Sequence, residues 1–114
     1  METVIKRIKF SEYYKAASKN KDIMDGPSLR GYIAITYDEL VDKFGKPERN
    51  VGDKVLAAFH VFINGVPVEF YIYKETRIPK GKHSWHIGGP VASGVIMAVE
   101  HVFPHHGVAS MGRL

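Results

Sequence analysis

Apolar and polar positions alternate most regularly around Asn64-Gly65, where Lys54–Ile63 and Val66–Lys74 flank a dipeptide that accepts the positive φ angles of a two-residue hairpin turn. The turn predicts a register. Ile63 falls opposite Val66, Val61 opposite Val68, Phe59 opposite Phe70 and Ala57 opposite Ile72, which makes one wholly apolar face. The other face sets Phe62 against Pro67, His60 against Glu69, Ala58 against Tyr71 and Leu56 against Tyr73. It mixes aromatic, charged and small groups, as a surface for a ligand or partner does.

Helical spacing appears on both sides of this hairpin. Thr36-Tyr37-Asp38-Glu39 is a capping box, Tyr37, Leu40, Val41 and Phe44 form one apolar stripe, and Gly45 and Pro47 supply a stop. A helix over about 37–44 follows, with Gly31–Ile35 extended before it. Val91, Val95, Ile96, Val99, Val102 and Phe103 predict a second helix over 90–103, with Pro90 at its first position and Pro104 beyond its end. Its composition is apolar enough to pack across the apolar hairpin face. Val4–Phe10 suits a short strand or a helical start, 11–22 suits a helix, and Asp25-Gly26-Pro27-Ser28 breaks regular structure. The predicted fold is α+β: an antiparallel sheet centred on the 54–74 hairpin, with helices at about 37–44 and 90–103 on one face. Residues 1–114 form a single domain, divided into an N-terminal extension (1–30), a core (31–103) and a tail (104–114) that reads as poorly ordered or as a small adaptor to a partner.

Composition narrows the function classes. A chain of 114 residues, 45% hydrophobic and 25% charged, is ordinary for one globular domain. The absence of cysteine excludes disulfides, thiolate nucleophiles and cysteine-based zinc sites and fits a reducing compartment, so a cytoplasmic location is expected. No apolar run approaches the ~20 residues of a membrane-spanning helix, and no membrane partner is expected. The net charge of +4 is concentrated toward the ends, with seven basic and four acidic residues in 1–30 and three and one in 80–114. This mild excess attracts phosphates without forming the Lys/Arg stripe of a nucleic-acid binder, so nucleic acid ranks low among partners.

Two places carry candidate chemistry. Gly88-Gly89 precedes the predicted second helix, where free amides and the positive helix end suit an anion; Trp85 supplies a stacking plane, His86 a donor, and Lys80 and Lys82 added charge. The alternative is a tight turn with Trp85 in the core. The second surface comprises Leu56, His60, Phe62, Glu69, Tyr71 and Tyr73, in which Glu69 can orient the His60 imidazole across the strands. Tyr13-Tyr14 suits either stacking or packing. His83/His86 and His101/His105 have usable metal spacings but lack a closed ligand shell, so neither a metal nor a cofactor is expected. There is no nucleophile elbow and no phosphate-binding loop, and no catalytic residue is assigned.

The order Gly31-Tyr32-Ile33, then Thr36-Tyr37-Asp38-Glu39-Leu40-Val41-Asp42-Lys43-Phe44-Gly45-Lys46-Pro47, a hairpin, and Trp85-His86-Ile87-Gly88-Gly89 resembles a set of small bacteriophage and prophage proteins. Their marks are a Leu-Phe-Gly-x-Pro helix end and a Trp-His-Ile-Gly-Gly signature, and the likeness covers about residues 31–103. The resemblance implies a phage setting rather than a mechanism. It makes the leading expectation an accessory protein that sequesters or inhibits a host antiviral component, with a small anionic, nucleotide-like ligand ranked first. An inhibitor docking on a host protein or nucleic-acid-processing complex through the second surface ranks next. A small hydrolase or lyase using His60, Glu69 or His86 is third. The mixed face also motivates an expectation of homo-oligomers.

Overall fold

A computed structural model describes residues 3–18, 28–52, 54–90 and 92–110. It shows the α+β fold, an antiparallel sheet of seven strands with three helices packed against it. In chain order these are β1 (Ile5–Arg7), α1 (Phe10–Ala17), β2 (Ser28–Ile35), α2 (Tyr37–Phe44), β3 (Glu48–Gly52), β4 (Val55–Ile63), β5 (Val66–Tyr73), β6 (His83–Gly89), α3 (Ala92–Val102) and β7 (Gly107–Ser110). The strands run in the order β1-β4-β5-β6-β2-β7, and β3 shares with β1 the free edge of β4. Val91 and most of Asp25-Gly26-Pro27-Ser28 lie outside the described residues.

The hairpin of β4 and β5 has the expected register from Ile63/Val66 to Ala57/Ile72, and both turn residues adopt positive φ, 49° at Asn64 and 83° at Gly65. At the open end the register slips. Val55 rather than Leu56 lies opposite Tyr73, and the bulged Leu56 packs against the main core instead of joining the mixed face. The apolar face is sealed by α2 and α3, through Leu40, Phe44, Val95, Val99 and Phe103. Each such side chain contributes about 1.5–3 kcal/mol when fully buried. The capping box forms as read, with Glu39 N donating to Thr36 Oγ1 at 3.1 Å and Thr36 N to Glu39 Oε1 at 3.1 Å.

Three expectations are corrected. The segment before α3 is strand β6, in which Trp85 and Ile87 face the core while His86 faces the other way. Helix α3 begins at Ala92, and Pro90 forms a bend after β6 rather than a first helical turn. The tail contains β7, which adds to the outer edge of β2 by pairing Gly107–Ser110 with Gly31–Ala34. Gly31 makes that pairing feasible, because a Cβ there would lie 2.2 Å from the Ala109 carbonyl oxygen.

His106, just before β7, ties the tail to α2 through Glu39 Oε2 at 2.7 Å. This contact, with the Thr36 amide and hydroxyl, pulls the Glu39 carboxyl from its ordinary 4.5 down to about 2. A depressed carboxyl stabilises the fold above its unfolded value and loses that contribution as pH falls toward the folded one. The β7 end is therefore expected to loosen between about pH 4.5 and 2. The loss is modest, because the carboxylate is exposed. Amide exchange at Val108 and Ala109 across this window checks it, and Glu39→Gln should abolish the pH dependence; an unchanged profile in that variant would remove the explanation.

Candidate functional site

The mixed face of the sheet is only half open. Helix α1 places Tyr13 and Ala17 at a spacing that buries both, with Phe10 beside them, against Ile8, His60 and Phe62. This lid over β4 was not legible as such, since a short amphipathic segment does not say which sheet face it covers. It converts His60 from an expected surface group into the one buried charged or polar side chain among the described residues, 2% exposed.

Burial makes the partners of His60 decisive. Its Nδ1 lies 2.7 Å from Glu48 Oε1 and its Nε2 lies 2.9 Å from Glu69 Oε2. The Glu69 contact was read from the hairpin register. Glu48 was missed because β3 carries no clear strand pattern; its pairing with Ala58 and Ala57 brings the carboxylate to the far side of the imidazole. Phe10 and Tyr13 enclose the ring at centroid distances of 5.3 and 5.1 Å. Two ring nitrogens facing two carboxylates require two protons along the chain. Either an imidazolium lies between carboxylates, or a neutral imidazole lies between a carboxylate and a carboxylic acid.

Beyond α1 the face opens into a pocket of about 560 Å³ lined by Phe10, Leu29, Tyr32, Val55, Glu69, Tyr71, Tyr73 and His86. Its walls are rings. His86 stacks on Tyr71 at 5.0 Å, meets Tyr32 edge-on at 4.9 Å and approaches Tyr73 at 6.1 Å. Burial, and then the neighbouring His83, lowers the His86 pKa from its ordinary value and favours the neutral ring. Burial, reinforced by the Glu69 charge, pushes the Tyr71 hydroxyl up to about 12. The same two causes raise Tyr13 further. Tyr13 Oη and His86 Nδ1 are enclosed and make no hydrogen bond of ordinary geometry among the described residues.

The structure therefore separates the expected anion site into parts. Trp85 is fully buried beside Tyr37 and Phe59 and offers no plane to a ligand. Gly88 and Gly89 sit inside β6, paired with Leu29 and Ser28, so their amides do not form a helix end. The missing side chains serve packing. A Cβ on Gly89 would meet Val95 Cγ2 at 2.4 Å, and one on Gly88 would crowd Glu69 Oε1 at 3.1 Å and Tyr13 Oη at 3.4 Å. Arg30 Nε and Nη2 donate to the Gly89 and Pro90 carbonyls at 2.9 and 2.8 Å, fixing the end of β6. His86 does join the pocket, with Glu69, Tyr71 and Tyr73 from the second surface. Leu56 and Phe62 do not, being packed in the main core and under α1 respectively.

No protein-family model matches the chain, and no curated protein or solved structure is significantly similar to it.

Charge is distributed unevenly along the pocket. Glu69 lies at the end covered by α1. The opposite end, past Tyr73, carries exposed Lys74, whose Nζ lies 5.4 Å from the Tyr73 ring centroid. Lys54 stands across from it, joined by a Lys74 N to Lys54 O bond of 2.8 Å. The exposed loop holding Lys80 and Lys82 connects β5 to β6 at this same end. Among the described residues no group of three or more His, Asp or Glu side chains is placed to hold a metal, and no helix is long and apolar enough to cross a membrane.

Proposed function

We propose that this protein binds a small nucleotide-like molecule in the sheet pocket, with the base among Tyr32, Tyr71 and His86 and the phosphate toward Lys54, Lys74 and the Lys80–Lys82 loop. The observation that carries the reading is one cavity with aromatic walls, at whose edge Lys74 lies against the Tyr73 ring. Rings of this kind hold any base by stacking, which contributes about 1–3 kcal/mol per base. Lysines outside the cavity meet phosphate without the cost of burying charge. The ligand's anionic end belongs at the mouth, because the Glu69 carboxylate repels it from the inner end.

In the setting implied by the phage resemblance, such a protein works in the host cytoplasm as an accessory factor that sequesters a nucleotide signal of antiviral defence. Helix α1 occupies the β4 half of the face on which the expectation of self-association rested. The β5–β6 half of that face stays open, and Met97 on α3, 69% exposed, is the most exposed large hydrophobic side chain among the described residues. A second reading, a small hydrolase or lyase, draws support from the Glu48–His60–Glu69 chain, which ends in a carboxylate facing the pocket.

Calorimetric titration against mononucleotides and cyclic nucleotides is the test. Binding is expected, and Tyr71→Ala should weaken it about tenfold, equivalent to ~1.4 kcal/mol. Chromatography of the same mixtures separates sequestration, in which the nucleotide is recovered intact, from hydrolysis or elimination. Absence of binding by every nucleotide, or binding indifferent to Tyr71→Ala, would end the proposal.

A further inference from the structure

We infer that Glu69 reads the base, selecting a ring whose edge carries two adjacent N–H donors, as in guanine. This rests on the nucleotide reading above and adds the identity of the base. Glu69 is an unusual residue to find in an aromatic nucleotide pocket, since its charge discourages anions and it does not stack. Its chemistry is that of an acceptor: an ionised carboxylate accepts at both oxygens and donates at neither.

Its placement leaves acceptor capacity at both oxygens for a ligand. Oε2 meets His60 Nε2 at 2.9 Å on one side and keeps a second lone pair. Oε1 lies over Gly88, in space that any Cβ would contest at 3.1 Å. Among the described residues, no lysine or arginine pairs with Glu69; His60 is its ion-pair partner. In either protonation arrangement the chain Glu48–His60–Glu69 carries a net charge of minus one. That charge is offset best by donors from the ligand. Glu48, at the other end, shares a separate groove with Arg7, Lys9 and Glu12, so basic groups are available there and not beside Glu69. His60 and Glu48 act as positioning residues, because the buried imidazole prevents the Glu69 carboxylate from turning away.

The bases differ sharply against such an acceptor. Guanine presents a ring N–H and an exocyclic amine side by side, and a carboxylate can accept from both. Hypoxanthine retains the ring N–H and lacks the amine. On the pairing edges of adenine and cytosine a lone amine stands beside ring acceptors, and uracil flanks its one N–H with carbonyls; those acceptors face the carboxylate unfavourably. A buried polar group left unmatched rejects an analogue more strongly than a missing methylene does.

The experiment titrates the full chain with the 5′-monophosphates of guanosine, inosine, adenosine, cytidine and uridine. All five carry the same ribose phosphate, so differences report the base. Guanosine monophosphate should bind at least tenfold more tightly than inosine monophosphate and than the other three. Glu69→Gln should reduce that preference to less than threefold while the weaker nucleotides change little, because the amide nitrogen would confront a donor edge. If Glu69→Gln does not fold, as judged by circular dichroism, the guanosine-to-inosine ratio of the parent protein decides. Equal binding of guanosine and inosine monophosphates, or tighter binding of any other base, overturns the inference and leaves nucleotide binding standing. No binding of any of the five overturns the inference, and absence of binding by the cyclic nucleotides as well overturns the nucleotide reading with it.

Discussion

His60→Ala should destabilise the protein by about 3 kcal/mol, the lower end of the cost of breaking a buried ion pair. Two effects add. The substitution leaves the Glu48 and Glu69 carboxylates facing each other across a cavity without the proton-bearing ring between them. It also removes the surface against which Phe10 and Tyr13 pack. The carboxylates are 29% and 16% exposed, so solvent screens part of the repulsion and the upper end of the range is not reached. Chemical denaturation measures the loss. A triple variant, Glu48→Gln with His60→Leu and Glu69→Gln, should recover most of it, since replacing a whole buried ionic group by a neutral one is often nearly neutral. If His60→Ala costs less than about 0.5 kcal/mol, the range of an ordinary surface change, the three groups are not coupled as described.

Trp85→Ala should be at least as damaging, at about 3–5 kcal/mol, because it empties the part of the core where Tyr37 and Phe59 meet. Trp85→Phe should cost less than half as much. The indole Nε1 is enclosed without a hydrogen-bond partner among the described residues, and removing such a donor returns about 1–3 kcal/mol of desolvation cost against the packing lost. Thermal or chemical denaturation of the pair gives both values. Nucleotide affinity of Trp85→Phe should equal that of the parent, since Trp85 and His86 point to opposite faces of β6. A tenfold loss of affinity in a folded Trp85→Phe protein would return the indole to the ligand site and contradict its placement in the core.

These variants also show which features local sequence could disclose. The α+β class, the β4–β5 register, the capped helix α2 and the apolar body of α3 were all legible, because each rests on contacts between residues near in sequence. Asn64-Gly65 sets pairing by its own backbone preference, and Thr36 with Glu39 closes a helix end within four residues. The pairing of His60 with Glu69 followed from that turn. Leu56 escaped because a bulge costs one residue of register and leaves no mark in an apolar run.

Strands β6 and β7 and the identity of the pocket depended on tertiary structure. Gly88-Gly89 has the composition of a turn, yet it is extended and paired with β2; a Cβ at Gly89 would collide with Val95, and one at Gly88 would press on the Glu69 carboxylate. Gly107–Ser110 has little strand preference of its own and is ordered by the free edge of β2. Glu48 comes from twelve residues before His60, and Tyr13 arrives on a helix whose docking face no periodicity specifies. Local sequence supplied the chemistry available: histidine, carboxylate and tyrosine on one sheet face, and lysines in the loop at its end. Long-range packing set the rest: α1 buries His60 between two carboxylates while Glu69, Tyr71 and His86 line the open pocket, because burial is not specified by neighbours along the chain.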